Sequence, residues 1–149
     1  MGSDELVLEL KRVVPAPRPV VFAAFRDSER LVQWWGPDGF TVPSADFSTI
    51  VGEPYRIEMR PAEGHAFVLH GLFRTVHPPH RLAFTFIWDP PDPDDVETLV
   101  DLSFEARGDS TEIALWQGEF RTAARLELHR DGWTDSFDKL ERLLSGRAP

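Results

Sequence analysis

The apolar residues of this chain keep two periods, and the change between them falls after Gln117. From Tyr55 to Gln117 large side chains alternate with polar ones. Tyr55, Ile57 and Met59 make one set, and Leu82, Phe84, Phe86 and Trp88 a second. Val100, Leu102 and Phe104 make a third, and Ile113, Leu115 and Gln117 a fourth. Alternation is the strand period, because successive side chains leave opposite faces of a sheet. Over 67–75 the inner set is Phe67, Leu69, Gly71 and Phe73, although Val68, Leu72 and Val76 make the other face apolar too. The breaks at Gly52–Pro54, Pro61–Gly64, Pro78-Pro79, DPPDPDD (89–95) and Arg107–Asp109 are turn sequences. Strands are therefore expected at 55–60, 66–76, 82–88, 98–105 and 111–117, joined as antiparallel hairpins. After Thr122, a plausible helix cap, Leu126, Trp133, Phe137, Leu140 and Leu144 fall on one helical stripe. A meander buried on one face needs a cover, and one long amphipathic helix supplies it. Gly132 lies inside that helix at a cost of about 1 kcal/mol relative to Ala, which suggests that something approaches it closely.

Ahead of the meander, Leu6, Leu8 and Leu10 alternate as a first strand, which PAPRP (15–19) ends. Residues 20–26 read as a short helix. Asp27 or Ser28 caps a second, with Leu31, Trp34 and Trp35 on its apolar side and Gly36-Pro37 as its stop. The class is α+β: a curved antiparallel sheet, two short helices after strand 1, and a long C-terminal helix. Neighbouring helical residues point about 100° apart, so the two tryptophans of LVQWWGP cannot share one environment.

One domain is expected over residues 1–149, with its core at about 6–145. Cysteine is absent, which removes thiol catalysis, iron–sulfur clusters and cysteine zinc sites. A chain without disulfides fits a reducing cytoplasm, the expected location. The opening MGSDELVLELKRVV lacks an apolar stretch of about 7–15 residues behind a basic start, so no secretory leader is expected. Gly2 does not complete a myristoylation motif, because Leu6 stands where Ser or Thr is required. No apolar run of about 18 residues exists, so membrane insertion is not expected. A net charge of −9 argues against nucleic acid as a partner.

VFAAFRDSERLVQWWGPDGF (21–40) resembles the opening of the SRPBCC (START-like) superfamily, in the branch homologous to the activator of the heat-shock-protein-90 ATPase. YRIEM, VHPPHRLAFTF, ETLVDLSFEARGDSTEIAL and HRDGWTDSFDKLERLL follow in family order. The resemblance implies the helix-grip fold, with a deep apolar cavity between the sheet and the last helix. It also implies a spread of functions: lipid carriers, polyketide cyclases or aromatases, chaperone ATPase activators, and bacterial proteins that confer resistance by binding antibiotics. Two departures stand out. Gly52-Glu53-Pro54-Tyr55 replaces a Gly-Gly-x-aromatic pattern, and Gln117 stands where many members end the last strand on His. The extra N-terminal domain of the eukaryotic chaperone activators is not seen, so chaperone activation is not expected.

The expected site is this cavity, lined by Trp34, Trp35, Phe40, Tyr55, Met59, Phe73, Phe86, Trp88, Leu115, Gln117, Trp133 and Phe137. An aromatic-rich interior with few polar groups suits a small apolar or aromatic ligand. No cofactor, metal or catalytic residue is expected. Gln117, His70 and Tyr55 are the only inward candidates for acid–base work, the requirement of a cyclase-like alternative. His77-Pro-Pro-His80 reads as a surface turn without a third ligand, and His129 as solvated or capping. The 89–95 stretch lacks calcium-loop spacing and reads as a stiff, solvated loop that could edge the cavity mouth. Trp116, with Leu72, Ile87 and Leu99, is expected on the outer sheet face, where an apolar patch could support a homodimer. Three functions stay open: a ligand-binding module, in secondary metabolism or antibiotic self-resistance; a cyclase- or aromatase-like enzyme; and a chaperone-regulating interaction domain.

Overall fold

A computed structural model describes residues 6–146; Gly2, considered above for lipidation, lies outside them. The chain runs β1 (Leu8–Val14), α1 (Arg18–Arg26), α2 (Ser28–Leu31), β2 (Phe40–Asp46), β3 (Pro54–Pro61), β4 (Phe67–His77), β5 (Arg81–Asp89), β6 (Thr98–Arg107), β7 (Ser110–Gly118) and α3 (Ala123–Leu144). The seven strands form one sheet in the order β1-β7-β6-β5-β4-β3-β2, and every neighbouring pair is antiparallel. This curved sheet grips α3, the helix-grip arrangement that the family resemblance implies.

Local chemistry sets the boundaries. Pro19 in the first turn of α1 needs no amide partner there, so the helix starts at Arg18, ahead of the expected 20. Asp27 ends α1 and caps α2, its carboxylate accepting the Glu29 N–H at 3.0 Å. Thr122 Oγ1 accepts the Arg125 N–H at 3.1 Å and so caps α3. The strand 40–46 was not among those the alternation marked. Its register against β3 shifts between Thr41 and Ser44, around Pro43, which cannot donate to a ladder; β2 is accordingly an edge strand.

The inner faces follow the alternation. Tyr55, Ile57, Met59, Leu69, Phe73, Leu82, Phe84, Phe86, Val100, Leu102, Phe104, Ile113 and Leu115 are all buried. On β5, at the centre of the sheet, Ala83 and Thr85 on the opposite face are buried as well. Gly71 of β4 lies so close to β5 that an added Cβ would stand 2.1 Å from Thr85 O. The Tyr55 hydroxyl donates to the same carbonyl at 2.6 Å.

On the outer face Trp116 and Leu72 are exposed, while Ile87 and Leu99 are partly covered. Trp116 pairs across the ladder with Asp101, and Asp101 with Ala83. Arg81 holds Asp101 with Nε 2.9 Å from Oδ1, so charge divides this apolar surface.

Candidate functional site

The turn after α2 answers how two adjacent tryptophans are housed. Trp34 is fully buried; its ring packs 4.6 Å from Phe25, and its Nε1–H donates to Ala24 O at 3.0 Å. Trp35 turns toward α3, with its ring centroid 5.1 Å from that of Trp133. Gly36 then adopts φ +99°, a left-handed backbone that suits glycine, and ends the run. The Gly36 N–H donates to Ser136 Oγ at 2.9 Å, and the Asp38 N–H to Asp135 Oδ2 at 3.1 Å, so the turn is fastened to α3. Pro37 approaches the helix at Gly132, where an added Cβ would meet Pro37 Cγ at 3.6 Å.

Between this turn, the far ends of β3–β5, the 89–95 loop and α3 lies a cavity of about 260 Å³. Trp35, Pro37, Phe40, Met59, Phe67, Phe86, Trp88 and Trp133 make its apolar wall. Leu128, His129, Gly132 and Ser136 of α3 complete it, and Asp92, Asp95, Arg125, Asp131 and Asp135 also line it. Six of the twelve expected lining residues meet here: Trp35, Phe40, Met59, Phe86, Trp88 and Trp133.

The other six lie elsewhere. Trp34 is under α1, as described. Tyr55 and Phe73 are withdrawn by Phe47, which follows β2 and is buried in the interior. The Phe47 ring stands 5.1 Å from Tyr55, 4.8 Å from Phe73 and 5.5 Å from Phe84, and this aromatic cluster fills that end of the interior. Leu115 and Phe137 are packed in the main core. Gln117 is fully buried, donating from Nε2 to Thr98 Oγ1 at 2.9 Å and accepting the Trp133 Nε1–H at 2.8 Å. Alternation selects a face of a strand, but it cannot show which stretch of that face a later residue will cover.

His129 corrects its expected solvated role. It is buried and lines the cavity, because Leu126, His129 and Trp133 recur at helical spacing on one stripe. That spacing was the available signal. His129 Nε2 accepts the Trp88 Nε1–H at 3.0 Å, and Nδ1 stands 2.7 Å from Arg125 O. The pair of contacts fits a neutral ring that carries its proton on Nδ1. Burial lowers its pKa from the ordinary 6.5, against the opposing effects of the Arg125 carbonyl and Asp95.

The 89–95 loop is held at the cavity edge by Arg125, which pairs with Asp92, with Asp94 at 2.9 Å and with Asp95 at 3.6 Å. These charge-assisted bonds lower the Asp94 pKa. None of the three inward acid–base candidates reaches the cavity. Gln117 is sealed between Thr98 and Trp133. Tyr55 is bonded to Thr85, and burial pushes its phenol well above the ordinary value. His70 alternates with Leu69 and Gly71 and so faces outward. His80 Nδ1 lies 2.8 Å from Arg18 in its turn, and among the described residues no three His, Cys, Asp or Glu side chains stand close enough to hold a metal.

A curved antiparallel sheet closed by a long helix over an apolar cavity defines a helix-grip, START-like domain. Residues 15–145 match the family described as Activator of Hsp90 ATPase homolog 1-like protein, and the chain belongs to that family. The crystal structure of an AHSA1 protein from Silicibacter pomeroyi is 32% identical, with a TM-score of 0.82, and the match covers 93% of this chain and 97% of that one. A protein from Chromobacterium violaceum is 24% identical over the same shares, with a TM-score of 0.84, and shares the fold. One from Nitrosomonas europaea is 23% identical over 97% of each chain, with a TM-score of 0.81. No functionally curated protein matches the chain. No helix among the described residues is long and apolar enough to cross a membrane.

Proposed function

We propose that this chain is a single-domain binding protein for a small apolar or aromatic molecule, held between the sheet and α3. The observation that carries the reading is the cavity itself, with rings from Trp35, Phe40, Phe67, Phe86, Trp88 and Trp133 on its wall. An engineered apolar cavity of about 150 Å³ is enough for one benzene ring, and typical ligand pockets begin near 300 Å³. A volume of about 260 Å³ therefore suits a ligand of one or two rings. Aromatic walls supply contact area with little side-chain entropy to lose. Sequestering a secondary metabolite, as in antibiotic self-resistance, is a use to which such a cavity is suited in the cytoplasm. A cyclase-like reading is less well supported, since Gln117, His70 and Tyr55 all lie off the cavity and His129, which lines it, has both ring nitrogens engaged by Trp88 and Arg125 O. A homodimer through the outer sheet face is a separate proposal, resting on the exposure of Trp116 and Leu72 and tested by sedimentation equilibrium.

The test is a titration with uncharged one- and two-ring aromatic compounds, followed by tryptophan fluorescence and calorimetry. Saturable binding at one site per chain is expected. A panel that leaves both signals flat would overturn the reading.

A further inference from the structure

The inner tryptophans differ in what their ring nitrogens do. The N–H of Trp34 is taken by Ala24 O, that of Trp88 by His129 Nε2 and that of Trp133 by Gln117 Oε1. Among the described residues, the Trp35 N–H has no protein acceptor. Yet among the described residues no side-chain nitrogen or oxygen sealed from solvent is left without a partner. Trp35 is only 5% exposed and lines the cavity. The neighbouring polar groups are occupied. Ser136 Oγ takes the Gly36 N–H and donates to Gly132 O at 2.9 Å, while both nitrogens of His129 are engaged. The apolar part of the wall therefore offers a ligand one free donor.

A donor left unmatched by a bound ligand loses the water it could otherwise bond, so the site favours molecules that bring an acceptor. The charge of the lining narrows the class. Four carboxylates, from Asp92, Asp95, Asp131 and Asp135, stand against the single guanidinium of Arg125, which is already paired with the loop. An anionic ligand would meet a like-charged surround.

Resting on the proposed ligand-binding role, we infer that the cavity selects an uncharged aromatic molecule carrying a carbonyl or ether oxygen, and that the Trp35 indole N–H binds this oxygen. Trp35 is then the residue that sets specificity, while the surrounding rings supply affinity without reading the polar group.

The experiment compares 2-acetylnaphthalene, 2-ethylnaphthalene and 2-naphthoate by calorimetry on the wild-type protein and on Trp35→Phe. Wild type should bind the ketone about tenfold more tightly than the hydrocarbon, as expected for one net hydrogen bond. Naphthoate should bind more weakly than the ketone. Trp35→Phe should reduce the ketone preference to about onefold, because the smaller ring removes wall contact from both compounds alike but takes the donor from the ketone alone. An independent readout needs no variant: the Trp35 indole N–H resonance of wild type should move downfield with the ketone and not with the hydrocarbon, while those of Trp34, Trp88 and Trp133 hold. Equal affinity for ketone and hydrocarbon, a preference that survives in Trp35→Phe, or naphthoate binding as tightly as the ketone would overturn this inference and leave the apolar pocket standing. Failure of wild type to bind either neutral compound would overturn the pocket reading, and this inference with it.

Discussion

Trp133 donates its indole N–H to Gln117 Oε1 at 2.8 Å, and Gln117 passes the connection on to Thr98 Oγ1 at 2.9 Å. One buried amide thus ties α3 to β7 and β6, and it fixes the orientation of a ring on the cavity wall. Gln117→Leu removes the acceptor and leaves a buried N–H unpaired. Urea unfolding should show a loss of about 1–3 kcal/mol. Because the Trp133 ring is freed at the same time, aromatic ligands should also bind more weakly. Unchanged stability would mean that the amide is not the link between helix and sheet.

The two adjacent tryptophans should separate cleanly in mutagenesis. Trp34→Phe loses a buried bond to Ala24 O, so its stability should fall by about 1–3 kcal/mol while the ligand-induced fluorescence change persists. Trp35→Phe loses no intramolecular bond among the described residues, and should instead remove much of that fluorescence change. Thermal melts and ligand titrations of the two variants check both halves.

Gly71 allows β4 and β5 to approach where no side chain fits. An alanine methyl would collide with the Thr85 carbonyl, which also accepts the Tyr55 hydroxyl. The obstacle is backbone, so relief requires the strands to part. Gly71→Ala should cost about 3 kcal/mol, the upper part of the usual overpacking range. A variant with wild-type urea midpoint would show that the strands separate easily there.

Gly132 makes the opposite case. Its Cβ would touch Pro37 at an ordinary contact distance, and alanine favours helix by about 1 kcal/mol. Gly132→Ala should therefore raise the melting temperature. It should also weaken binding of two-ring ligands, because the new methyl occupies the cavity wall. A stabilised protein with unchanged affinity would place the ligand away from α3.

His129 gives stability a pH dependence of known sign. Its folded pKa lies below 6.5, so the unfolded chain takes up the proton first as pH falls. The stability associated with the neutral ring is fully present above about pH 6.5 and is lost as pH drops from there through the folded value. Protonation would also set a second N–H against that of Trp88. Arg125 and Asp95, the charged groups acting on the ring, offset each other in direction. Unfolding free energies at pH 7.5 and 5.5 should differ less in His129→Gln than in wild type; an equal difference in both would remove His129 as the cause.

Much of the fold was legible because period and turn chemistry are local. Leu82–Trp88 and Leu126–Leu144 carry their own geometry, and Gly36-Pro37 stops a helix wherever it stands. The site was legible only in part. Phe47 sits in a segment with no clear alternation, yet its ring fills the space beside Tyr55 and Phe73 and divides the interior into packed core and cavity. Gln117 reads as an inward polar group on its strand, and only the arrival of Trp133 from another element makes it a structural link. Which inward residues meet open space depends on such long-range packing, which no single segment encodes.

The position of β1 beside β7, with Leu8 opposite Gln117, has a consequence for how the molecule is made. A chain emerging from the ribosome carries β1 without its partner strand until nearly all the other strands exist, and pairings this distant in sequence close slowly. The cavity wall contributed by α3 follows later still. Nascent hairpins can therefore form early with their aromatic faces bare, but a ligand finds a container only once the final helix has been delivered and docked. A molecule bound there would mark a chain in which α3 has already docked on the sheet.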